Sequence, residues 1–120
     1  MRRYRYRKKN TYSKIDIGYV YILKLFVPLN SKVTIVVYKI GFTSRPYLTR
    51  VSEYKMKNEI VAVFESSAFD AYKYEQFIHT NHKASRYIFD RDIKFSGKTE
   101  CYQCIVGISL LTQKMRRLEL

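Results

Sequence analysis

At 120 residues the chain has room for one hydrophobic core and not for a second domain of ordinary size. Its 47% hydrophobic residues exclude disorder throughout. Its formal charge of +13, from 23 Lys and Arg against 10 Asp and Glu, repels itself in a compact state and calls for a polyanionic partner. Nucleic acid fits best, while an anionic membrane surface or an acidic protein would answer the same charge. Tyr 12 and Phe 7, many beside Lys or Arg, suit a surface that stacks on bases and neutralises phosphates, although an A/T-rich genome gives the same bias. No apolar run has the length of a bilayer span and no apolar segment follows the basic N-terminus, so neither membrane insertion nor a signal peptide is expected. With two cysteines, Cys101 and Cys104, the expected setting is reducing and cytoplasmic.

Residues 1–14 carry Arg2, Arg3, Arg5, Arg7, Lys8, Lys9 and Lys14 with no acid before Asp16. Like charges in such a run cannot be buried together, so this segment reads as a basic flexible arm for nucleic acid, alternating cations with Tyr4, Tyr6 and Tyr12. A solubilising tail is the blander reading. Residues 15–120 form the single folded domain.

Residues 18–27 are β-branched, aromatic and almost continuously apolar, the pattern of a strand covered on both faces. Pro28, Asn30 and Ser31 break the run, and residues 33–40 make a second strand, antiparallel because the connection is short. Alternation sets Tyr19, Tyr21, Leu23 and Leu25 on one face of the first strand. It sets Val33, Ile35, Val37 and Lys39 on one face of the second, so Tyr21 and Lys39 share a surface if the register allows. After Gly41, Thr43 or Ser44 is placed to cap a helix with Pro46 in its first turn, running to about Lys57. Arg45 adds to the basic nucleic-acid-binding set here. Arg50 and Tyr54 fall four apart on one helix face, with Leu48, Val51 and Tyr47 toward the core.

A third strand is expected over residues 60–65, and Ser67 with Asp70 has capping-box spacing before a helix reaching roughly Tyr87. Ala71, Tyr74 and Ile78 form its apolar stripe, and Glu75, His79 and His82 line a different face. Residues 90–99 read as a polar loop. In the tail, Ile108, Leu111, Met115 and Leu118 have helical spacing.

The set Tyr21, Lys39, Arg50, Tyr54, Glu75 and His79 matches the needs of phosphodiester hydrolysis: a group to take a proton from water, a cation for the phosphate and a carboxylate for a divalent ion. Taken singly, Tyr21 is an ordinary core tyrosine, Lys39 and Arg50 ordinary surface cations and Glu75 a solvated helix residue.

Together, Tyr19-Val20-Tyr21, then Lys39-Ile40-Gly41, then Arg50 and Tyr54, then Glu75 with His79, resemble the GIY-YIG nuclease superfamily in its phage and large-DNA-virus branch, whose second motif reads K-I-G. Thr99-Glu100-Cys101-Tyr102 is similar to that branch's closing T-E-W-F. The resemblance covers about residues 18–104. It implies an α+β fold, with a small, mainly antiparallel three-stranded sheet flanked by helices, and a DNA endonuclease that uses one Mg²⁺ or Mn²⁺ ion. By that resemblance Glu75 holds the metal, Arg50 binds the scissile phosphate, and Tyr21, Lys39, Tyr54 or His79 serves the nucleophilic water. Tyr19 replaces the first motif's glycine and Lys39 the second motif's tyrosine.

Those departures motivate the alternative of a catalytically inactive nucleic-acid-binding module. The resemblance also implies host cytoplasm or nucleoid as the location, DNA as the partner with RNA left open, and a homodimer or a targeting protein to supply specificity. Zinc is the weaker metal reading: His79-x-x-His82 and Cys101-x-x-Cys104 use every His and Cys, but a helix end and a long loop separate the pairs.

Overall fold

The computed structural model describes residues 12–95 and 97–120. The basic arm's Arg2, Arg3, Arg5, Arg7, Lys8 and Lys9 therefore lie outside the described residues. The elements run β1 (Ile17–Pro28), β2 (Thr34–Thr43), α1 (Tyr47–Val51), β3 (Asn58–Ser67), α2 (Ala68–Asn81), a 3₁₀ turn (Lys83–Ser85), a second 3₁₀ turn (Lys98–Glu100), β4 (Cys101–Tyr102), α3 (Ile108–Lys114) and β5 (Arg116–Arg117).

The class is α+β, as expected, but the sheet has five strands rather than three, in the order β4-β2-β1-β3-β5. All pairings are antiparallel. The expected trio β2-β1-β3 is its centre, and a two-residue strand is added at each edge. Both additions come from segments that alternation cannot identify, because two residues have no period. They cover part of each outer edge, whose backbone groups would otherwise meet only water.

β1 is central and nearly all apolar because both of its faces are covered. On one face Val20, Ile22, Ile40, Ala62 and Phe64 pack under Ala71 and Ile78 of α2 and Leu111 of α3. On the other, Tyr21, Leu23, Leu25, Val37 and Val63 pack with Val51, Phe89 and Cys101. Fully burying a side chain such as Leu23 or Ile22 contributes roughly 1.5–3 kcal/mol, so the two layers together hold the sheet.

Helix α2 starts where expected: Ser67 is the N-cap and its hydroxyl accepts from the Asp70 amide at 3.1 Å. It ends at Asn81 rather than Tyr87, and the chain tightens into the 3₁₀ turn. Helix α1 is far shorter than predicted, ending at Val51 instead of continuing to Lys57. The Ser52 hydroxyl donates to the Thr49 carbonyl at 2.7 Å, a local bond that competes with helix continuation, and the chain then turns toward β3. Thr43 belongs to β2 and accepts from the Arg45 amide at 3.0 Å, so no side chain caps α1. Leu48 is exposed rather than core-facing, whereas Val51 is buried.

The tail is helical only in α3. Met115 is extended, β5 pairs with Phe64 and Glu65, and the Leu118 amide donates to the Val63 carbonyl at 2.8 Å. Among the described residues, no helix is long and apolar enough to cross a membrane.

Candidate functional site

The site lies at the outer edge of β2, where the two layers meet around the end of a short strand. The β1–β2 register sets Leu23 opposite Lys39 and Tyr21 opposite Gly41, so Tyr21 and Lys39 are diagonal neighbours on one face. The Tyr21 ring lies flat across Gly41; a methyl group built on Gly41 would overlap that ring. A glycine here is thus what lets a buried tyrosine present its hydroxyl at the sheet edge. The Tyr21 and Tyr54 hydroxyls are 3.4 Å apart.

β4 pairs with β2 only at Tyr38 and Lys39. Beyond that point α2 supplies the partner: His79 Nε2 is 3.0 Å from the Ile40 carbonyl oxygen. A carbonyl can only accept, so Nε2 carries the proton, which also faces a carboxylate oxygen of Glu75 at 3.2 Å. Nδ1 is 2.7 Å from the Tyr102 hydroxyl, and in the neutral imidazole it accepts that proton. The ring is thereby fixed at both nitrogens, and its Nε2–H steadies Glu75. The other Glu75 oxygen accepts from Gln76 Nε2 at 2.7 Å.

Glu75 and His79 are 3% and 5% exposed, so the helix face expected to be separate from the apolar stripe is buried beside it. The polar face and Ala71 and Ile78 pack inward together because the Ile40 carbonyl and Tyr102 hydroxyl give the buried polar atoms partners.

Glu100 completes the arrangement. One of its oxygens accepts from Lys39 Nζ at 2.9 Å, and the other is 3.8 Å from His79 Nε2. Glu75, His79 and Glu100 each offer a ligand atom within 4.8 Å of the others'. Gly97, in the left-handed region at φ 81°, turns the chain into the 3₁₀ turn that carries Glu100. A methyl group there would overlap the Lys39 side chain. Neither Glu100 nor Tyr102 was assigned a role from the sequence; the available signal was their place in Thr99-Glu100-Cys101-Tyr102.

Lys39 is the most unusual member, 1% exposed in an otherwise apolar layer. Burial disfavours its charge, but Glu100 and the electron-rich rings of Tyr21 and Tyr54, with centroids 5.4 and 5.7 Å from Nζ, outweigh that and push its pKa above the ordinary value of 10.5. It is therefore a fixed cation and not a proton acceptor. Burial pushes the Tyr21 pKa up from 10.0, against the opposing pull of Lys39 and Arg50. The tyrosine hydroxyl stays protonated in this arrangement.

Arg50 sits over the Tyr54 ring at 5.1 Å although Tyr54 lies beyond the end of α1. Its guanidinium donates to Glu53 at 3.0 Å, and Arg45 grips the same carboxylate through two bonds of 3.0 Å. Arg45 is thus paired at the surface, outside the central cluster. Tyr21, Lys39, Arg50, Glu75 and Glu100 line one cavity of about 210 Å³, with Tyr12, Phe42 and Tyr72 forming an aromatic wall. The Tyr12 ring is 4.8 Å from Phe42 and 5.2 Å from Tyr72.

The alternative zinc set is not assembled. Cys101 is buried, Cys104 is exposed, and among the described residues neither they nor His82 join a cluster of potential ligands. Burial pushes the Cys101 thiol up to about 12. A thiol-reactive dye at pH 8 is therefore expected to label one cysteine, Cys104, in the folded chain and both in denaturant; labelling of both at equal rates in the folded chain would contradict the burial of Cys101.

The antiparallel sheet thus gathers two carboxylates, a buried lysine and an arginine around one polar cavity, with the His79 imidazole behind Glu75. The chain belongs to the T5orf172 domain family, whose profile matches residues 18–113. This is a phage-associated domain of endonuclease type. No curated protein and no solved structure matches the chain.

Proposed function

We propose that the protein is a divalent-metal-dependent endonuclease of the GIY-YIG type that hydrolyses phosphodiester bonds in DNA. The observation that carries this reading is the shared cavity: the Glu75 and Glu100 carboxylates face the Arg50 cation, the Tyr21 hydroxyl and the fixed Lys39 charge across about 210 Å³. That volume takes an ion with part of its water shell, and two carboxylates supply the hard oxygen donors that Mg²⁺ and Mn²⁺ prefer. Glu75 and Glu100 would hold the ion. When bound, it supplies positive charge to the scissile phosphate and makes a coordinated water more acidic.

The chain's own residues account for the rest. Arg50 binds a non-bridging phosphate oxygen and stabilises the charge that grows there as water attacks phosphorus and releases a proton to bulk water, and as the P–O bond to the leaving sugar breaks, the departing oxygen taking a proton from bulk water. Tyr21 and Tyr54 orient the water through their adjoining hydroxyls. Lys39 holds Glu100 in place and adds fixed positive charge next to the reacting group. His79 acts by positioning Glu75, since both of its ring nitrogens are engaged. The +13 charge supplies the long-range attraction to the polyanion.

Incubating supercoiled plasmid with the purified chain and Mg²⁺ or Mn²⁺, beside Glu75→Ala and Arg50→Ala, tests this directly. The expected result is nicked or linear plasmid from the unmodified chain, suppressed by EDTA and reduced at least about 100-fold in each variant. Cutting that survives both substitutions would sink the assignment. A second reading, an inactive nucleic-acid-binding module, has one observation in its favour: Lys39, at the place of the second-motif tyrosine, is locked to Glu100. It predicts salt-sensitive DNA binding with no cutting at any divalent ion.

A further inference from the structure

A second, larger cleft of about 650 Å³ opens beside the centre, between the end of β1, the turn after α1 and the loop before Gly97. Its apolar lining comes from Val27, Met56, Ile93 and Phe95, the last three only partly buried. Phe95 is held edge-on against Phe89, with centroids 5.2 Å apart and planes at 85°. Arg50, Lys55 and Lys94 bring cations to the lining, and Glu53 and Asp92 bring acceptors. Arg50 lines both this cleft and the cavity of the centre, so the two are contiguous at the residue read as binding phosphate.

We propose that this cleft is a subsite for one unpaired nucleobase next to the scissile phosphate, which makes the substrate a DNA with single-stranded character at the cut, such as a fork or flap. The inference rests on the nuclease reading for the phosphate at Arg50. Three features carry it. The volume exceeds that of any nucleobase. Apolar and aromatic walls with cations at hand are the combination that binds single strands, stacking on the base while neutralising its backbone. Finally, a phosphate held at Arg50 leaves its flanking nucleotide at the mouth of the cleft, and a base paired inside a duplex cannot turn into a concave site without being extruded.

The test is a pair of affinities measured in EDTA on the full chain, and again on Glu75→Ala in case chelation is incomplete. One ligand is a labelled fork with a single-stranded arm and the other is the same sequence as a blunt duplex. The fork is expected to bind about tenfold more tightly, the scale of one stacked base. Ile93→Glu, which places a charge on the apolar wall, and Lys94→Glu, at an exposed position that tolerates substitution, are each expected to bring that ratio to within about twofold of unity. Because the readout is a ratio, a general loss of DNA affinity does not mimic the effect, and circular dichroism confirms that the variants are folded.

Equal affinity for the two DNAs, or a fork preference unchanged by both substitutions, would overturn the subsite. Its failure is separable from that of the nuclease reading. A fork preference that depends on Ile93, in a chain that cuts nothing, supports the subsite and defeats the nuclease; cutting of blunt duplex as fast as fork defeats the subsite and leaves the nuclease.

Discussion

Lys39→Met is expected to lower the stability of the fold by about 3 kcal/mol, while the double substitution Lys39→Met with Glu100→Gln recovers most of the loss and neither form cuts DNA. The asymmetry follows from burial. Lys39 is 1% exposed and its partner carboxylate 33%, so removing the ammonium leaves a mostly enclosed charge at Glu100 with no counter-ion. Partial exposure of Glu100 keeps the cost at the low end of the range for broken buried pairs. Methionine fills a volume close to that of the lysine stem, and a neutral glutamine beside it has no unpaired charge to desolvate. Paired urea melts of the single and double variants read the difference. A double variant no more stable than Lys39→Met would show that the pair is not what holds this edge.

The same pair fixes a pH dependence. Lys39 is raised above its ordinary 10.5, so its contribution to stability is fully present below that pH and is lost as pH rises through the higher value of the folded state. The gap in stability between the unmodified chain and the neutral double variant should therefore hold constant from pH 7 to 10 and close only in stronger alkali.

Gly41→Ala is the second substitution expected to have a large effect. The added methyl would occupy the space of the Tyr21 ring, which is 1% exposed and enclosed by the layer around it. Either the ring leaves its place or the two strands part, at a cost of roughly 1–3 kcal/mol for overpacking. In both cases the Tyr21 hydroxyl moves away from Tyr54, and cutting should fall by at least about tenfold even at temperatures where the variant is fully folded. Activity retained at the unmodified level in a folded Gly41→Ala chain would remove Tyr21 from the site. Tyr21→Phe is the companion variant: it keeps the ring and its packing and loses only the hydroxyl, so it should melt close to the unmodified chain while sharing the loss of cutting.

What was legible in the sequence divides along physical lines. The strands β1 and β2 announced themselves because a strand buried on both faces needs a nearly continuous apolar run, and β1 is one, interrupted only at Lys24. Alternation set Tyr21 and Lys39 each on one face of its own strand, but the register that brings those faces together was not legible; the Ser67 cap was, from a hydroxyl three residues before an amide that needs it. The extent of α1 was not legible: Arg50 and Tyr54 are brought together as well by a turn as by a helix, and nothing in the spacing distinguishes the two. The tail misled for a similar reason, since Met115 and Leu118 reach apolar surface from extended backbone at helical intervals.

Glu100 shows the limit most clearly. A glutamate in a polar loop carries no local mark of a partner 61 positions away, and its role exists only because β4 returns to β2 and Gly97 turns the chain under Lys39. Glu75 was singled out through the family resemblance, and its burial is met by His79, whose Nε2–H also bonds a backbone carbonyl at Ile40 that no side-chain pattern reports.

The candidate set is divided between two independently packed layers: Glu75 and His79 ride on the helix above one face, while Tyr21 and Lys39 belong to the other. The sheet is thus a spacer gauge, and the distance between Glu75 and the Tyr21–Lys39 pair is set by how closely α2 is seated on it. Ala68 and Ala71, both buried, are the small residues that allow this close seating. Enlarging either, or Gly18 of β1 against which both pack, would change the reach of Glu75 toward Lys39 without altering any residue of the candidate set, so that spacing is held by small residues on the far side of the sheet from Tyr21.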